Sequence, residues 1–413
     1  MASTRLSYLS IIKEATIATA VQPDNFIRFK DGDAQFNQEV IENNPIQSNR
    51  HVGIQPVLGK VDTGGQYSLD LDYNECVFFL YGAMGTIASA DISSLTDASV
   101  FRHTITTANS LPGFTMEQGK GNLTDTSNNR QNYSVERAFG VLVNTLTLSA
   151  NDGIVGLALT TIAHGLFLKS DLVADAGAGS TVDLELESVE GLTTSDTVNI
   201  FDETPQSETD AVAAIDTSAK TIEIATLGNS YTIANNAKVE LVPQTPVYSL
   251  DPNVAVFHHA AFQFGATIAA AGSADEENVE DWEFGINNNL EQRYGSLRAT
   301  PSHIGEKGLQ FTFNFKKFFE NVTDRDRYLR QVRRAMIITL DSGVIVSATD
   351  TNDATYKVII EVSDLRLTSY NLPTGTDDLY VVEFTAIPFY DTGDGRAVRI
   401  KVENENAGTV YTA

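Results

Sequence analysis

The chain has a single cysteine, Cys76, and a single tryptophan among its 413 residues. One thiol excludes an intramolecular disulfide framework and any cysteine-rich zinc site. Six histidines leave little material for a histidine-dominated metal centre. Basic residues are scarce as well: 28 Lys and Arg stand against 54 Asp and Glu, a formal net charge of −26. That balance argues against gripping nucleic acid through phosphate neutralisation, which needs positive patches. Long apolar runs are missing. The longest, Ala255 to Ala271, is broken by His258, His259 and Gln263, so no segment reads as a membrane span. Lys13 and Glu14 interrupt the stretch that a signal peptide would keep apolar, so the expectation is synthesis in the cytoplasm without secretion.

Motifs for chemistry are also lacking. There is no Gly-x-x-x-x-Gly-Lys-Ser/Thr, no Gly-x-Gly-x-x-Gly after a strand, and no Gly-x-Ser-x-Gly elbow. The glycine-rich Ala176–Ser180 runs into a strand without a phosphate-binding lysine and reads as a linker. His258 and His259, if on a strand, face opposite sides and cannot chelate one ion together. The acidic run Asp275 to Glu283 lacks the spacing of a calcium loop and reads as a solvated segment. Asp70/Asp72 and Glu185/Glu187 share a strand face at a spacing of two, the pattern of a wet face. Glycosylation triplets at Asn122, Asn132 and Asn321 count as chance without a secretion signal. No catalytic, cofactor-binding or metal-ligating residue is singled out, and no enzyme is expected.

What the chain does have is alternation. Hydrophobic residues make up 42 % and charged residues 20 %, a folded composition, and at about 150 residues per domain the length allows two or three domains. Tyr67, Leu69, Leu71 and Tyr73 alternate with polar residues, as do Leu309, Phe311, Phe313 and Phe315. Val358, Ile360 and Val362 form one face, and Val398, Ile400 and Val402 another. This is the period of half-buried strands. Two hairpins are predicted: Val141–Leu148 with Ile154–Ile162 around Asn151-Asp-Gly153, and Leu379–Phe389 with Val398–Val402 around Thr392–Gly395.

Two helices are predicted as well. One runs from Glu75 to Tyr81, capped by Asp72 or Asn74 and stopped at Gly82 and Gly85; the other runs from Thr323 to Ala335 with Thr323 as N-cap. In the second, Asp324 and Asp326 sit in the first turn, Arg333 and Arg334 in the last, and Tyr328, Leu329, Val332 and Ala335 form the apolar stripe.

From about Ser170 to Pro243 the aromatic content falls to Phe201 and Tyr231, and five short strands are expected at 182–186, 197–201, 211–215, 221–224 and 238–242. The flanks, 174–180 and Pro243–Pro246, read as hinges. The predicted architecture is therefore mainly β: a sandwich or barrel of residues 1–169 and 246–413 with one or two packed helices, and an inserted small β domain at 170–245.

The order of these elements resembles the tail tube proteins of tailed phages and archaeal tailed viruses. Ser7 to Thr19 followed by Pro23 to Arg28 is similar to the family's N-terminal arm, with Ala18 where the family usually has glycine. Gly64 to Tyr73 running into Phe78 to Gly85 resembles its strand and short helix. Val141 to Ser149, preceded by Tyr133 and Phe139, resembles its next strand. Glu283 to Glu291, then Arg298 and Pro301, resembles its Ile-x-Asn-Asn-Leu-Glu segment and the loop after it. The helix from Thr323 falls where the family packs its helix on the barrel.

The resemblance implies a structural virion protein whose hexameric rings stack into a tail tube, assembled in the host cytoplasm and used for genome delivery. Implied partners are copies of itself, the tape measure protein, the tail terminator and distal tail proteins, and viral DNA passing through without sequence-specific binding. The segment Pro45 to Gly65 is expected as a loop reaching the next ring. The arm Met1–Asp24 and the tail Asn404–Ala413 are expected to exchange between subunits, and the insert to project outward. The rival readings are a surface- or carbohydrate-binding β protein with the insert as its head, and a hydrolase with an unrecognised carboxylate pair.

Overall fold

The computed structural model describes residues 7–43, 55–93, 99–121, 133–204, 206–248, 253–296, 299–320, 322–348, 350, 352–372 and 380–412. Arg298, Leu379, the asparagines Asn122, Asn132 and Asn321, the ends of the expected arm and tail, and most of the first half of the expected 45–65 loop lie outside them.

The chain opens with β1 (Tyr8–Lys13), β2 (Asn25–Ile27), β3 (Asp31–Asn43) and β4 (Gln55–Asp70), then α1 (Cys76–Met84). β5 (Gly85–Asp91), β6 (Phe101–Thr107), β7 (Phe114–Gly121), β8 (Tyr133–Ala150), β9 (Gly156–Ile162) and β10 (Gly165–Phe167) follow. Next come six short strands: β11 (Lys169–Asp171), β12 (Gly179–Glu185), β13 (Thr197–Phe201), β14 (Ser207–Asp216), β15 (Thr221–Leu227) and β16 (Lys238–Leu241). The last part holds β17 (Ala260–Gly265), α2 (Ile268–Ala271), β18 (Asp281–Asn287), β19 (Glu291–Tyr294), β20 (Pro301–Gly305) and β21 (Gln310–Phe318). It closes with α3 (Thr323–Arg330), β22 (Arg334–Ile345), β23 (Thr355–Asn371), β24 (Val381–Phe389), β25 (Val398–Asn404) and α4 (Thr409–Thr412). The protein is mainly β and its named strand pairs are antiparallel, as the alternation predicts.

Two long strands organise the large sheet. The first half of β8 pairs with β7 and β10, while its second half pairs with β9 and β18. β23 does the same, with β22 and β25 on its first half and β24 on its second. The second halves lie in one eight-stranded layer, in the order β3-β4-β9-β8-β18-β21-β24-β23. The first halves belong to the layer packed against it. Phe262 on β17 lies over Trp282 and Phe313, at ring-centroid distances of 6.0 and 6.4 Å, and Phe264 lies 6.0 Å from Phe315. These aromatic contacts join the two layers into one sandwich core.

β24 and β25 do not form the predicted hairpin. Both pair with β23, one beyond the other, and the chain from Thr392 to Gly395 carries the strand from one layer to the next. The hairpin around Asn151–Gly153 does form, with Asp152 and Gly153 at positive φ. Residues 55–65 are strand rather than loop: β4 continues its ladder with β3 out to Gln55 opposite Asn43. Nor is the N-terminal segment a free arm. β1 lies between β2 and β7 in this chain's own sheet, with Tyr8, Leu9 and Ile11 buried. The tail docks likewise, where the buried Tyr411 donates its hydroxyl to the Asn74 carbonyl and packs edge-on against Phe78.

The helices differ in kind. α1 is apolar on every side and every residue of it is buried, the pattern of a core helix. It runs through Gly82 and stops at Gly85, whose φ of 107° only glycine adopts readily. Asp72 Oδ1 accepts the N–H of Asn74 and of Glu75 ahead of it. α3 ends earlier than expected, at Arg330, because Gln331 turns left-handed and Arg334 and Ala335 already belong to β22. Its N-cap is Val322 rather than Thr323. No α3 residue is buried, and Leu329 is 68 % exposed. The helix is held by ion pairs from Asp324 to Lys317 (2.6 Å) and Arg327 (2.8 Å), and by Tyr328 stacked on Tyr370.

Residues 169–241 form a separate six-stranded sheet, ordered β11-β16-β13-β14-β15-β12. Its ends meet: Leu172 bridges Leu186, and the Glu187 N–H donates to the Asp171 carbonyl at 2.9 Å. The result is a small closed barrel around Leu184, Ile200, Ile222, Ile224 and Val239. The expected hinges are not free. Ala176 bridges Tyr231 within the barrel, and Gln244 is held by Tyr8 and Glu117.

Candidate functional site: the polar face of the eight-stranded layer

Antiparallel register dictates what the outer face of the eight-stranded layer presents. On β18, Trp282, Phe284 and Ile286 point into the core, so Asp281, Glu283 and Gly285 point out. On β21, Phe311, Phe313 and Phe315 point in, leaving Thr312, Asn314 and Lys316 outside. Direct partners then line up in rows across the strands. One row runs Ser149, Glu283, Asn314, Thr385 and Ser369. Another runs Gln66, Thr160, Thr145, Asn287 and Gln310. Thr145 and Thr160 share a hydroxyl–hydroxyl hydrogen bond of 2.6 Å, the cross-strand threonine pair that sheets favour.

Charge on this face is mostly acidic. Lys316 stands between Asp281 at 3.4 Å and Glu383 at 3.6 Å. Its ammonium is raised above the usual lysine range, chiefly by the hydrogen bond and charge of Asp281. Glu283 adds a further carboxylate, bonded to the Asn314 side-chain amide at 3.1 Å. Hydroxyls, amides and carboxylates make a face that repels phosphates and offers them few cationic anchors.

Neither edge of the layer has a partner strand among the described residues, although at the start of β3 the Gln118 side chain accepts the Ala34 N–H at 3.2 Å and donates to the Gly32 carbonyl at 2.9 Å. β3 pairs only with β4, and the end of β23 from Arg366 onward pairs only with β24. Open edges of this length need a partner strand or protection.

The other groups considered from sequence do not assemble a reaction centre. His258 and His259 lie in a turn, not on opposite sides of a strand, and their rings meet edge-on at 4.8 Å. Glu277 of the acidic run is taken up by Lys317 at 3.0 Å and Arg334 at 2.8 Å, while Asp275, Glu276, Glu280 and Glu283 are exposed, as expected of a solvated segment. Asp72 is buried at the start of α1 while Asp70 pairs with Lys30, so these two do not share a wet face. Glu185 and Glu187 are exposed. Among the described residues, no group of three or more His, Cys, Asp or Glu is placed to hold a metal ion, and no helix is long and apolar enough to cross a membrane.

The profile of a protein family described as phage tail tube protein matches residues 4–252. The chain belongs to the phage tail tube protein family. No curated protein matches it. Family membership makes it a structural component of the virion tail.

The face was foreshadowed by the polar partners in each alternation, such as Gln310, Thr312 and Asn314. Sequence reading missed the buried cluster that fixes the barrel to the sandwich. Arg137 on β8 donates to Glu117 on β7 (2.8 and 2.6 Å) and to Asp196 of the barrel (2.6 and 2.7 Å), and all three are about 1 % exposed. Tyr8 donates its hydroxyl to Glu117 at 2.5 Å. No local spacing marks this cluster, because its members come from β1, β7, β8 and a barrel loop.

Proposed function

We propose that this protein is the repeating subunit of a viral tail tube. Copies join edge to edge into rings, rings stack into a hollow tube, and the polar face of the eight-stranded layer lines the bore through which viral DNA passes. The resemblance of the chain implies hexameric rings, with six positions around the axis. The observation that carries the reading is the eight-stranded layer itself, apolar on one side, hydroxyl- and carboxylate-bearing on the other, and without a partner strand at either edge among the described residues. Copies of itself satisfy those edges, and closure into a barrel removes them altogether.

The hairpin of β3 and β4 serves ring-to-ring contact in this reading. Val40, Ile41, Val57 and Leu58 lie towards its far end and are all about half-exposed or more, an apolar patch suited to burial against the next ring. The small barrel of residues 170–245 projects outward, since an inward position would block the bore. The tape measure protein fills the lumen before ejection, the terminator and distal tail proteins close the two ends, and assembly takes place in the host cytoplasm.

Negative-stain microscopy of the concentrated, purified protein tests this. Rings or hollow tubes are expected; discrete monomers at every concentration and ionic strength overturn the proposal.

A further inference from the structure

The strand pairings of the two parts of the sandwich repeat one another. β4–β9, β9–β8, β8–β7 and β8–β10 in the first part correspond to β21–β24, β24–β23, β23–β22 and β23–β25 in the second. Two of the bulges coincide as well, whereas the slips at Gln38/Val40 and Asp341/Ile345 have no counterpart. The β8/β9 register slips between Val143 and Thr145, and the β23/β24 register between Leu367 and Ser369. The β7/β8 slip at Phe114/Met116 matches the β22/β23 slip at Arg334/Met336. Bulges are built features rather than accidents, so the coincidence marks two copies of one unit. The first unit ends at β10, the small barrel follows, and the second unit begins at β17. The barrel is therefore a spacer between two units, not an insertion within one.

The two units join where β8 pairs with β18, Thr145 opposite Asn287 and Leu146 opposite Ile286. The outer edge of β3 is the counterpart of that β18 edge, and the free end of β23 is the counterpart of β8. The sequences agree: Asp31, Asp33, Phe36, Asn37 and Gln38 on β3 match Asp281, Glu283, Ile286, Asn287 and Asn288. At the internal junction Asn288 donates its side-chain amide to the Val143 carbonyl at 2.8 Å. At the free end the matching Leu367 carbonyl takes an exposed amide from Gln331 at 3.1 Å, in the place that Gln38 of a neighbour would fill.

We infer that β23 of one copy pairs with β3 of the next in the register of the internal junction, Ser369 opposite Asn37 and Tyr370 opposite Phe36. Each chain then supplies two adjacent tube units. This rests on the ring reading above: with six units about the axis, the ring holds three chains, in place of the six-chain ring that the resemblance implies. The two open edges lie at opposite ends of the eight-stranded layer and so cannot satisfy each other within one chain.

The test is oxidative cross-linking of assembled tubes carrying Asn37→Cys and Ser369→Cys, with Gln38→Cys and Ser369→Cys as a control one residue out of register. Cys76 is buried and does not compete. The expected product is a closed cross-linked species of three chains from the first pair and mostly uncross-linked chain from the control, with three-fold symmetry in end-on averages of unmodified rings. A ladder ending at six chains overturns the two-unit assignment. Cross-linking by the control pair in preference overturns the register. If the unmodified protein forms no rings at all, the ring reading itself has failed, and that result is distinguishable because it precedes any cysteine substitution.

Discussion

The backbone N–H of Ala18 donates to Glu14 Oε2 at 2.7 Å, and Ala18 itself sits at a left-handed φ of 65°. A side-chain β-carbon makes the left-handed region costly for alanine, by roughly 1 kcal/mol. Ala18→Gly is expected to stabilise the protein by about 0.5–1 kcal/mol, less than the full strain because glycine also loosens the unfolded chain. Urea unfolding of both forms checks this; an unchanged or lower midpoint refutes it.

Glu14 accepts three hydrogen bonds, from Ala18 N, Gly140 N and the Thr115 hydroxyl, yet burial still pushes its carboxyl up from 4.5 to about 7. A carboxyl raised in the folded state imposes no penalty below the unfolded value, where it is neutral in both states. The penalty grows as pH rises through 4.5 to 7 and is complete above that window. Stability relative to Glu14→Gln should therefore fall between pH 4.5 and 7.5 by an amount on the order of 3 kcal/mol. Glu75, raised to about 7 by burial and then by Asp72, moves stability the same way, so only the difference between wild type and variant reports on Glu14. A flat difference across the window would refute the assignment.

Arg137 compensates two buried carboxylates at once. Removing it as Arg137→Ala leaves Glu117 and Asp196 buried without their cation and should cost about 3–5 kcal/mol. The triple variant Arg137→Met, Glu117→Gln, Asp196→Asn should recover most of that loss, because no charge is then left alone. Thermal unfolding of the two variants separates a charge effect from a simple packing defect: equal losses would favour packing.

On the polar face, Glu283 and Thr385 lie in one row. Changing both to lysine adds cations to a surface that carries few. Tubes of the double variant should retain short duplex DNA at low salt and release it as salt rises, whereas wild-type tubes should not retain it. Indistinguishable binding by variant and wild type would mean that this face does not line the bore.

A net charge of −26 per chain makes copies repel one another. Screening shrinks that repulsion as ionic strength rises, from a Debye length of about 30 Å at 0.01 M to about 3 Å at 1 M. Tube length in micrographs should grow with salt; constant length would show that charge does not govern assembly.

The strands were legible because each buries one face, so Phe311, Phe313 and Phe315 announce themselves at a spacing of two. Partners were less legible than strands. Turn residues at 392–395 suggested a hairpin, but β23 is long enough to take β24 and β25 end to end, and its extra length decided the pairing. The duplication left little trace because the two units meet different surroundings. α1 and α3 follow β4 and β21 in equivalent places, yet one is Cys-Val-Phe-Phe-Leu-Tyr-Gly-Ala-Met under the tail and the β5–β6 hairpin, and the other is charged and exposed. Composition follows burial, and it diverged with it. The edge residues Gln38 and Asn288 both kept an amide because Asn288 makes, and Gln38 awaits, the same carbonyl contact.

The junction of β8 with β18 is sealed inside one polypeptide. Every second seam of such a wall is then closed by folding, before any encounter between molecules. Fewer separate bodies must be gathered for each turn of the wall, and the loss of translational and rotational freedom that opposes association is incurred correspondingly less often. A covalently paired wall of this sort should hold together at dilutions where one built from single-unit chains would come apart.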